Sequence, residues 1–136
     1  MRRATERPPV PTEHAEAVAF REWLDTQVAL GNVRRYTHLA QETFTRSWGT
    51  KRRNHLEGVR PGFPDYCVVV GKGDGVTGLV FVELKRPRGP QGGANGTRLS
   101  DEQVAWLRDL NRVGDDCHAA VCYGSGEAID FVKKFL

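Results

Sequence analysis

Apolar residues set the first rhythm of the chain. Ala17, Phe20, Leu24 and Val28 fall on one line at helical spacing, and Val18, Ala19 and Trp23 widen it. Thr12 suits the N-cap of this helix and Glu13 its first turn, while Gly31 stands where a helix closes in a left-handed conformation. Val33 to Leu39 has the character of a strand with mixed faces, which His38 ends. The rhythm then lapses over residues 43–60, which suit a short helix and loop. Tyr66–Val70 and Leu79–Lys85 are two apolar runs joined by a glycine-rich turn from Gly71 to Gly78, which predicts a β-hairpin. Ser100-Asp101-Glu102-Gln103 forms a capping box that opens a helix through Val104, Trp106, Leu107 and Leu110, stopping near Gly114. Cys117 to Tyr123 reads as an apolar strand, Gly124-Ser125-Gly126 as a turn, and Glu127 to Phe135 as a last amphipathic helix that turns Ile129, Val132, Phe135 and Leu136 inward.

This order of elements predicts an α/β protein with a mixed central β-sheet flanked by helices. A chain of 136 residues supports one compact domain, expected over residues 12–136. Residues 1–11 are expected to be a flexible basic N-terminal arm. That arm lacks the apolar core of a signal peptide, and no apolar run is long enough to span a membrane, so a cytoplasmic protein without membrane contact is expected. The three cysteines, Cys67, Cys117 and Cys122, lack the short paired spacing of a zinc site or a disulfide framework, so all three are expected to be small buried hydrophobes. Cys117-His118 is a metal pair on paper only.

Charge changes this picture. Residues 1–98 carry 16 basic and 10 acidic side chains, whereas residues 99–136 carry 4 basic and 7 acidic. A basic part with an acidic remainder suits a protein that turns one face towards nucleic acid. Two segments concentrate it. Arg46, Lys51, Arg52, Arg53 and Arg60 are interleaved with Trp48 and His55 against a single Glu57, a composition that suits phosphate contacts with some stacking as well as it suits a solvated basic face. Arg86, Arg88 and Arg98 lie on a Gly/Pro-rich stretch too long for a tight connection, which is expected to be a mobile flap rather than a nucleotide-binding phosphate loop.

The candidate chemistry sits on the hairpin. Charge enters its two strands at three points, Asp65 before the first and Glu83 and Lys85 at the end of the second. Side chains alternate along a strand, so Glu83 and Lys85 share a face. Antiparallel pairing brings the start of one strand beside the end of the other, and hence Asp65 beside both. Two carboxylates held together repel unless a cation joins them. Oxygen ligands of this kind suit a hard ion such as Mg²⁺ or Mn²⁺. Lys85 then stabilises charge on a phosphate or orients a water. The bland alternative is a salt bridge at a sheet end.

Pro64-Asp65 followed by Glu83-Leu84-Lys85 resembles the PD-(D/E)xK nuclease signature. The run from Gly58 to Asp65, Thr37-His38 with Glu42, and Leu99-Ser100 with Gln103 resemble more narrowly the virus-type replication-repair nuclease (VRR-NUC) family. The resemblance implies a restriction-endonuclease-like core. It also implies metal-dependent hydrolysis of DNA, with Asp65, Glu83 and the Leu84 backbone carbonyl holding Mg²⁺ or Mn²⁺ and Lys85 activating water. It implies a helix glutamate as a further ligand, for which Glu13 fits best and Glu16 is the rival. Ala17 stands where the family often has Gln. Gln103 is implied to lie against the active site, although the capping box alone explains it. His38 is implied to border the site in a positioning or phosphate-facing role. Stand-alone phage and bacterial members of this kind imply a homodimer acting on branched DNA such as Holliday junctions or flaps. A DNA-binding module with an idle site is the alternative, and a sequence-specific restriction nuclease a third.

Overall fold

In the computed structural model, residues 9–39, 48–89 and 98–136 are described. The elements are α1 (Glu13–Leu30), β1 (Val33–His38), α2 (Trp48–Leu56), β2 (Tyr66–Val70), β3 (Gly78–Lys85), α3 (Asp101–Leu110), β4 (Cys117–Tyr123) and α4 (Ser125–Lys133). The four strands form one sheet in the order β1-β2-β3-β4. The first three pair antiparallel, and β4 joins β3 in parallel after the α3 crossover, so the sheet is mixed. A parallel neighbour cannot be reached by a tight turn, and α3 supplies the crossover. Among the described residues no helix is long and apolar enough to cross a membrane.

The pleat divides the core in two. Tyr66, Val68, Val70, Val80, Val82, Leu84 and Cys122 point to one face and pack with Phe20 and Leu24 of α1 and Ala128 and Val132 of α4. Phe81, Cys117 and Ala119 point to the other, where Phe63, Leu107 and Leu110 cover them. The buried stripe of α1 is narrower than its apolar pattern suggests. Phe20 and Leu24 are buried, but Val18, Ala19 and Val28 are exposed, because α1 lies along one side of the sheet and α4 fills the space beside it.

The ends of α1 follow the sequence closely, whereas the start of α4 and the end of α3 depart from it. The Thr12 side chain accepts the Ala15 N–H, and Gly31 closes α1 at φ 81°, a conformation that costs glycine nothing. Helix α4 begins at Ser125, two residues before the expected Glu127. The Gly124 N-cap has no side chain to offer, and Glu16 of α1 takes over that role by accepting the Ser125 N–H at 2.5 Å. Helix α3 ends at Leu110, earlier than Gly114, because the Asn111 side chain turns to β4. Its amide donates to the Ala119 carbonyl at 2.8 Å and accepts from the Ala119 N–H at 2.9 Å, acting as a one-residue strand along an otherwise open edge. Replacing Asn111 with alanine should therefore lower stability by about 1–3 kcal/mol, the cost of leaving strand groups unpaired. Urea denaturation measures it, and an unchanged midpoint would show that water replaces the amide at no cost.

The cysteines are free, with Cys117 and Cys122 buried and Cys67 half-buried. Cys117 and His118 point to opposite faces of β4, and the His118 ring stacks on Phe135 at 3.9 Å, so the pair does not form a metal site.

Candidate active site

Asp65, Glu83, Lys85 and Gln103 come together at one end of the sheet, with Glu13 and His38 beside Asp65. Val82 pairs with Tyr66, which sets Glu83 opposite Asp65, and Lys85 lies across from Tyr123 on β4. The β1–β2 excursion leaves from Leu39, whose N–H donates to the Asp65 carbonyl at 2.6 Å, and returns at Asp65 itself. Three helices, α1, α3 and α4, start at this end, so the positive ends of three helix dipoles face the same region.

Asp65 is held by its own strand partner. The Leu84 N–H donates to Asp65 Oδ2 at 2.8 Å. In an extended strand the N–H and C=O of one residue point to the same side, so the Leu84 carbonyl also faces Asp65. The approach depends on Gly62. It adopts φ +94°, and a Cβ there would lie 2.7 Å from Glu102 and 2.8 Å from the Gln103 nitrogen. Only glycine lets the segment before Asp65 press against the first turn of α3. Phe63 fixes the contact with edge-on packing against Phe81 at 5.5 Å and Trp106 at 4.8 Å, and Pro64 is fully buried.

Glu83 is the one charged side chain in the buried core of the described residues, 4% exposed. Its Oε1 accepts the Gln103 Nε2 at 2.8 Å and meets Lys85 Nζ at 3.5 Å. The two roles weighed for Gln103 turn out not to compete. Its Oε1 accepts the Ser100 N–H at 2.9 Å and completes the capping box, while its Nε2 reaches Glu83. One amide thus locks the start of α3 to the end of β3.

Burial raises both carboxylates. Asp65 is pushed up mainly by desolvation, with the charge of Glu13 adding to it and the Leu84 N–H, His38 and Lys85 opposing it. Glu83 is pushed up to about 7 by desolvation first and by Asp65 second, against the pull of Lys85. Lys85 thus opposes the shift of both Asp65 and Glu83, while the charge of Glu13 adds to each.

Beside Asp65 a cleft of about 250 Å³ is lined by Glu13, His14, Ala17, His38, Asp65, Tyr66 and Leu84. Glu13 lines it and Glu16 does not, since Glu16 is committed to the N-terminus of α4. His38 stacks on Tyr66 at 4.7 Å, and Tyr66 meets Phe20 edge-on at 5.0 Å. Burial, with Asp65 next, pushes the Tyr66 hydroxyl up to about 12. Among the described residues no three His, Cys, Asp or Glu side chains stand close enough to enclose an ion by themselves. A site built on Asp65 and Glu83 would draw its remaining oxygens from the main chain or from water. The donor set fits a hard divalent ion in this way: two neighbouring oxygen ligands, raised by burial and incompletely neutralised, beside an open cleft.

The basic residues divide. Arg86 turns back to the start of α1, donating to the Pro11 carbonyl at 3.4 Å and the Val10 carbonyl at 3.3 Å. It ties the segment ahead of Glu13 to the strand that carries Lys85. Arg88 pairs with Glu127 at 3.2 Å and lies over the Tyr123 ring at 4.1 Å. Arg60 donates to the carbonyls of His55 and Val59 and closes the end of α2. Arg53 pairs with Glu57 within α2. Lys51, Arg52 and Arg98 are exposed. Glu42 and Arg46, residues 1–8 of the expected arm and residues 90–97 of the expected flap lie outside the described residues. The duties of Arg86, Glu16 and Asn111, and the place of His14 and Tyr66 in the cleft, had no signal in residue spacing.

An α/β core whose mixed sheet ends in Pro-Asp and Glu-Leu-Lys is a restriction-endonuclease-like fold. The family model for the VRR-NUC domain matches residues 12–126, and the chain belongs to that nuclease family. A solved structure described as a "VRR_NUC domain protein" has the same fold, with a TM-score of 0.62 and 15% identity over 95% of this chain and 91% of the other. No curated protein sequence matches the chain significantly.

Proposed function

We propose that the chain is a metal-dependent, structure-specific DNA endonuclease that hydrolyses phosphodiester bonds in branched DNA such as Holliday junctions or flaps. The observation that carries this is Glu83, a buried carboxylate fixed between Gln103 and Lys85 with Asp65 on the adjoining strand. A salt bridge at a sheet end needs neither the second carboxylate nor the cleft.

Asp65, Glu83 and the Leu84 carbonyl would hold Mg²⁺ or Mn²⁺, with Glu13 of α1 reaching the ion through a bound water. Such an ion, when bound, polarises the phosphate and lowers the pKa of water. The chain supplies the rest. Gln103 keeps one oxygen of Glu83 in place, Lys85 places a proton donor and positive charge where the attacking water or the phosphate lies, and His38 with Tyr66 walls the cleft. Lys51, Arg52, Arg53, Arg60, Arg86, Arg88 and Arg98 would contribute positive potential towards the phosphates; contacts by about four of them would give a slope of log K against log salt of about −3 to −4. Cutting both strands of a symmetric junction needs two active sites, which a symmetric homodimer provides.

The test is cleavage of a labelled four-way junction, 5′ flap, 3′ flap, single strand and linear duplex, with Mg²⁺, Mn²⁺ or chelator, by wild type and Asp65→Ala. Metal-dependent cutting of a branched substrate, absent in the variant, supports the reading. Junction binding without cutting under any condition favours a DNA-binding module instead.

Glu13 and Glu16 separate by calorimetry. Glu13→Gln should weaken Mn²⁺ binding by about tenfold. Glu16→Gln should leave metal affinity unchanged and lower stability by about 0.5–1 kcal/mol, because α4 loses its charged cap. The reverse pattern would make Glu16 the ligand.

A further inference from the structure

Among the described residues, helix α2 packs against no other helix or strand and contains no buried residue. Yet Trp48, Lys51, Arg52, His55 and Leu56 fall at i, i+3, i+4, i+7 and i+8, the spacing of one continuous helix face. Every one of them is exposed, Trp48 at 79% and Leu56 at 74%. Arg53 and Glu57 pair off this stripe, and Arg60 closes the helix end behind it, so Lys51 and Arg52 remain as the cations of the open face. A helix face with an aromatic at one end, an aliphatic at the other and cations between them is built to be covered by something both anionic and apolar.

The position of α2 in the chain says where that partner lies. The excursion that carries it is rooted at Leu39 and Asp65, joined by the Leu39 N–H to Asp65 carbonyl bond. Asp65 lines the cleft, as does His38 just before Leu39, so the excursion that carries α2 is tethered at the cutting site.

We infer that the open face of α2 docks an unpaired stretch of nucleic acid, with Trp48 stacking on an exposed base and Lys51 and Arg52 meeting the flanking phosphates. This rests on the nuclease reading and deepens it. Paired bases hide their faces in the duplex, whereas a junction centre or flap base presents them; stacking on one aromatic is thus a means of telling branched from linear DNA. The face is about 12 Å long at 1.5 Å per residue, enough for a short unpaired stretch rather than a duplex footprint.

The test measures binding by fluorescence anisotropy in an Asp65→Asn background with chelator, so that no cleavage intervenes. The probes are a labelled four-way junction, a 3′ flap, single-stranded DNA, single-stranded RNA and a linear duplex. Trp48→Ala should weaken binding to the junction, flap and single strands by about tenfold and to the duplex by no more than about twofold. Trp48→Phe should restore most of the loss. Lys51→Ala with Arg52→Ala should weaken binding to all probes and reduce the salt slope by about 2. Circular dichroism should show unchanged melting, since the face supports no packing. RNA binding equal to DNA assigns the face to unpaired bases in general, and a DNA preference assigns it to DNA; both keep the inference. Binding that Trp48→Ala leaves unchanged, or lowers equally on every probe, overturns it while the nuclease reading stands. A Trp48→Ala protein that sediments as a monomer where the parent is a dimer, with DNA discrimination intact, gives the face to a second copy and also overturns it. A parent that binds none of the probes overturns the nuclease reading itself.

Discussion

Lys85→Ala should cut metal-dependent cleavage by about 10²–10³-fold, the usual loss when one positioned charge donor is removed from a transition state, with junction binding nearly unchanged. The lysine is poorly placed to serve binding. Its side chain is 15% exposed and its ammonium lies 3.5 Å from Glu83 Oε1, deep at the end of β3 rather than on the open basic surface. Lys85→Arg should not rescue. A planar guanidinium is wider than an ammonium and would claim Glu83 in a two-pronged pairing, which removes the oxygen needed elsewhere. Single-turnover rates for wild type and both variants, beside anisotropy with the same junction, make the measurement. Equal loss of binding and cutting would return Lys85 to the role of a structural counter-ion for Glu83.

Glu83→Gln should abolish cleavage and yet stabilise the metal-free protein. The buried carboxylate stands beside Asp65, and both are raised by desolvation. An amide of the same shape still meets Gln103 without the charge. In chelator at pH 8 the variant should melt higher than wild type by roughly 3–5 °C, the shift that corresponds to about 1 kcal/mol in a domain of this size. The pH dependence follows from linkage. The folded pKa of Glu83 lies at about 7 against 4.5 as the ordinary value, so the fold binds this proton more tightly than the unfolded chain does. The contribution is complete below about pH 4.5 and disappears as pH rises through 7. Metal-free wild type should lose melting temperature across that window, and Glu83→Gln should lose less. A divalent ion should reverse the trend and stabilise wild type more at pH 8 than at pH 5, since it competes with the proton for the same oxygens. A flat profile for wild type in chelator would show that Lys85 and Gln103 neutralise Glu83 unaided.

These effects coincide because the chain places stability and chemistry in conflict at one point. The apolar strands Tyr66–Val70 and Gly78–Lys85 bury most of what they carry, and a carboxylate follows the same path inward at Glu83. The surrounding structure holds it there through Gln103, fixed by the capping box, and through Gly62, which brings the Asp65 segment against α3. A family-level description names the motif; the cost of burying it is what gives the motif a measurable thermodynamic signature.

Local physics wrote most of this protein into its sequence. Two apolar runs flanking a glycine-rich turn predicted the hairpin, helical spacing with Thr12 and Gly31 predicted α1, and Ser100 with Gln103 predicted the start of α3, because turn chemistry, helical periodicity and capping act between residues a few positions apart. The meeting of Asp65 with Glu83 followed from antiparallel pairing alone. Tertiary packing decided the remainder, where one residue type has several partners of equal merit nearby. Glu13 and Glu16 lie one turn apart on α1, and only the arrival of Ser125 at the end of β4 gives Glu16 to a helix end and leaves Glu13 to the cleft. Arg86 reads in the sequence as one more cation of the Gly/Pro-rich stretch, and only the fold brings the Val10 and Pro11 carbonyls within its reach. Gln103 looked like a choice between two duties, and the sequence held no means of showing that the two ends of its amide would face α3 and β3 at once. Such assignments depend on where groups far apart in the chain come to rest, and that is fixed by how whole helices pack on the sheet.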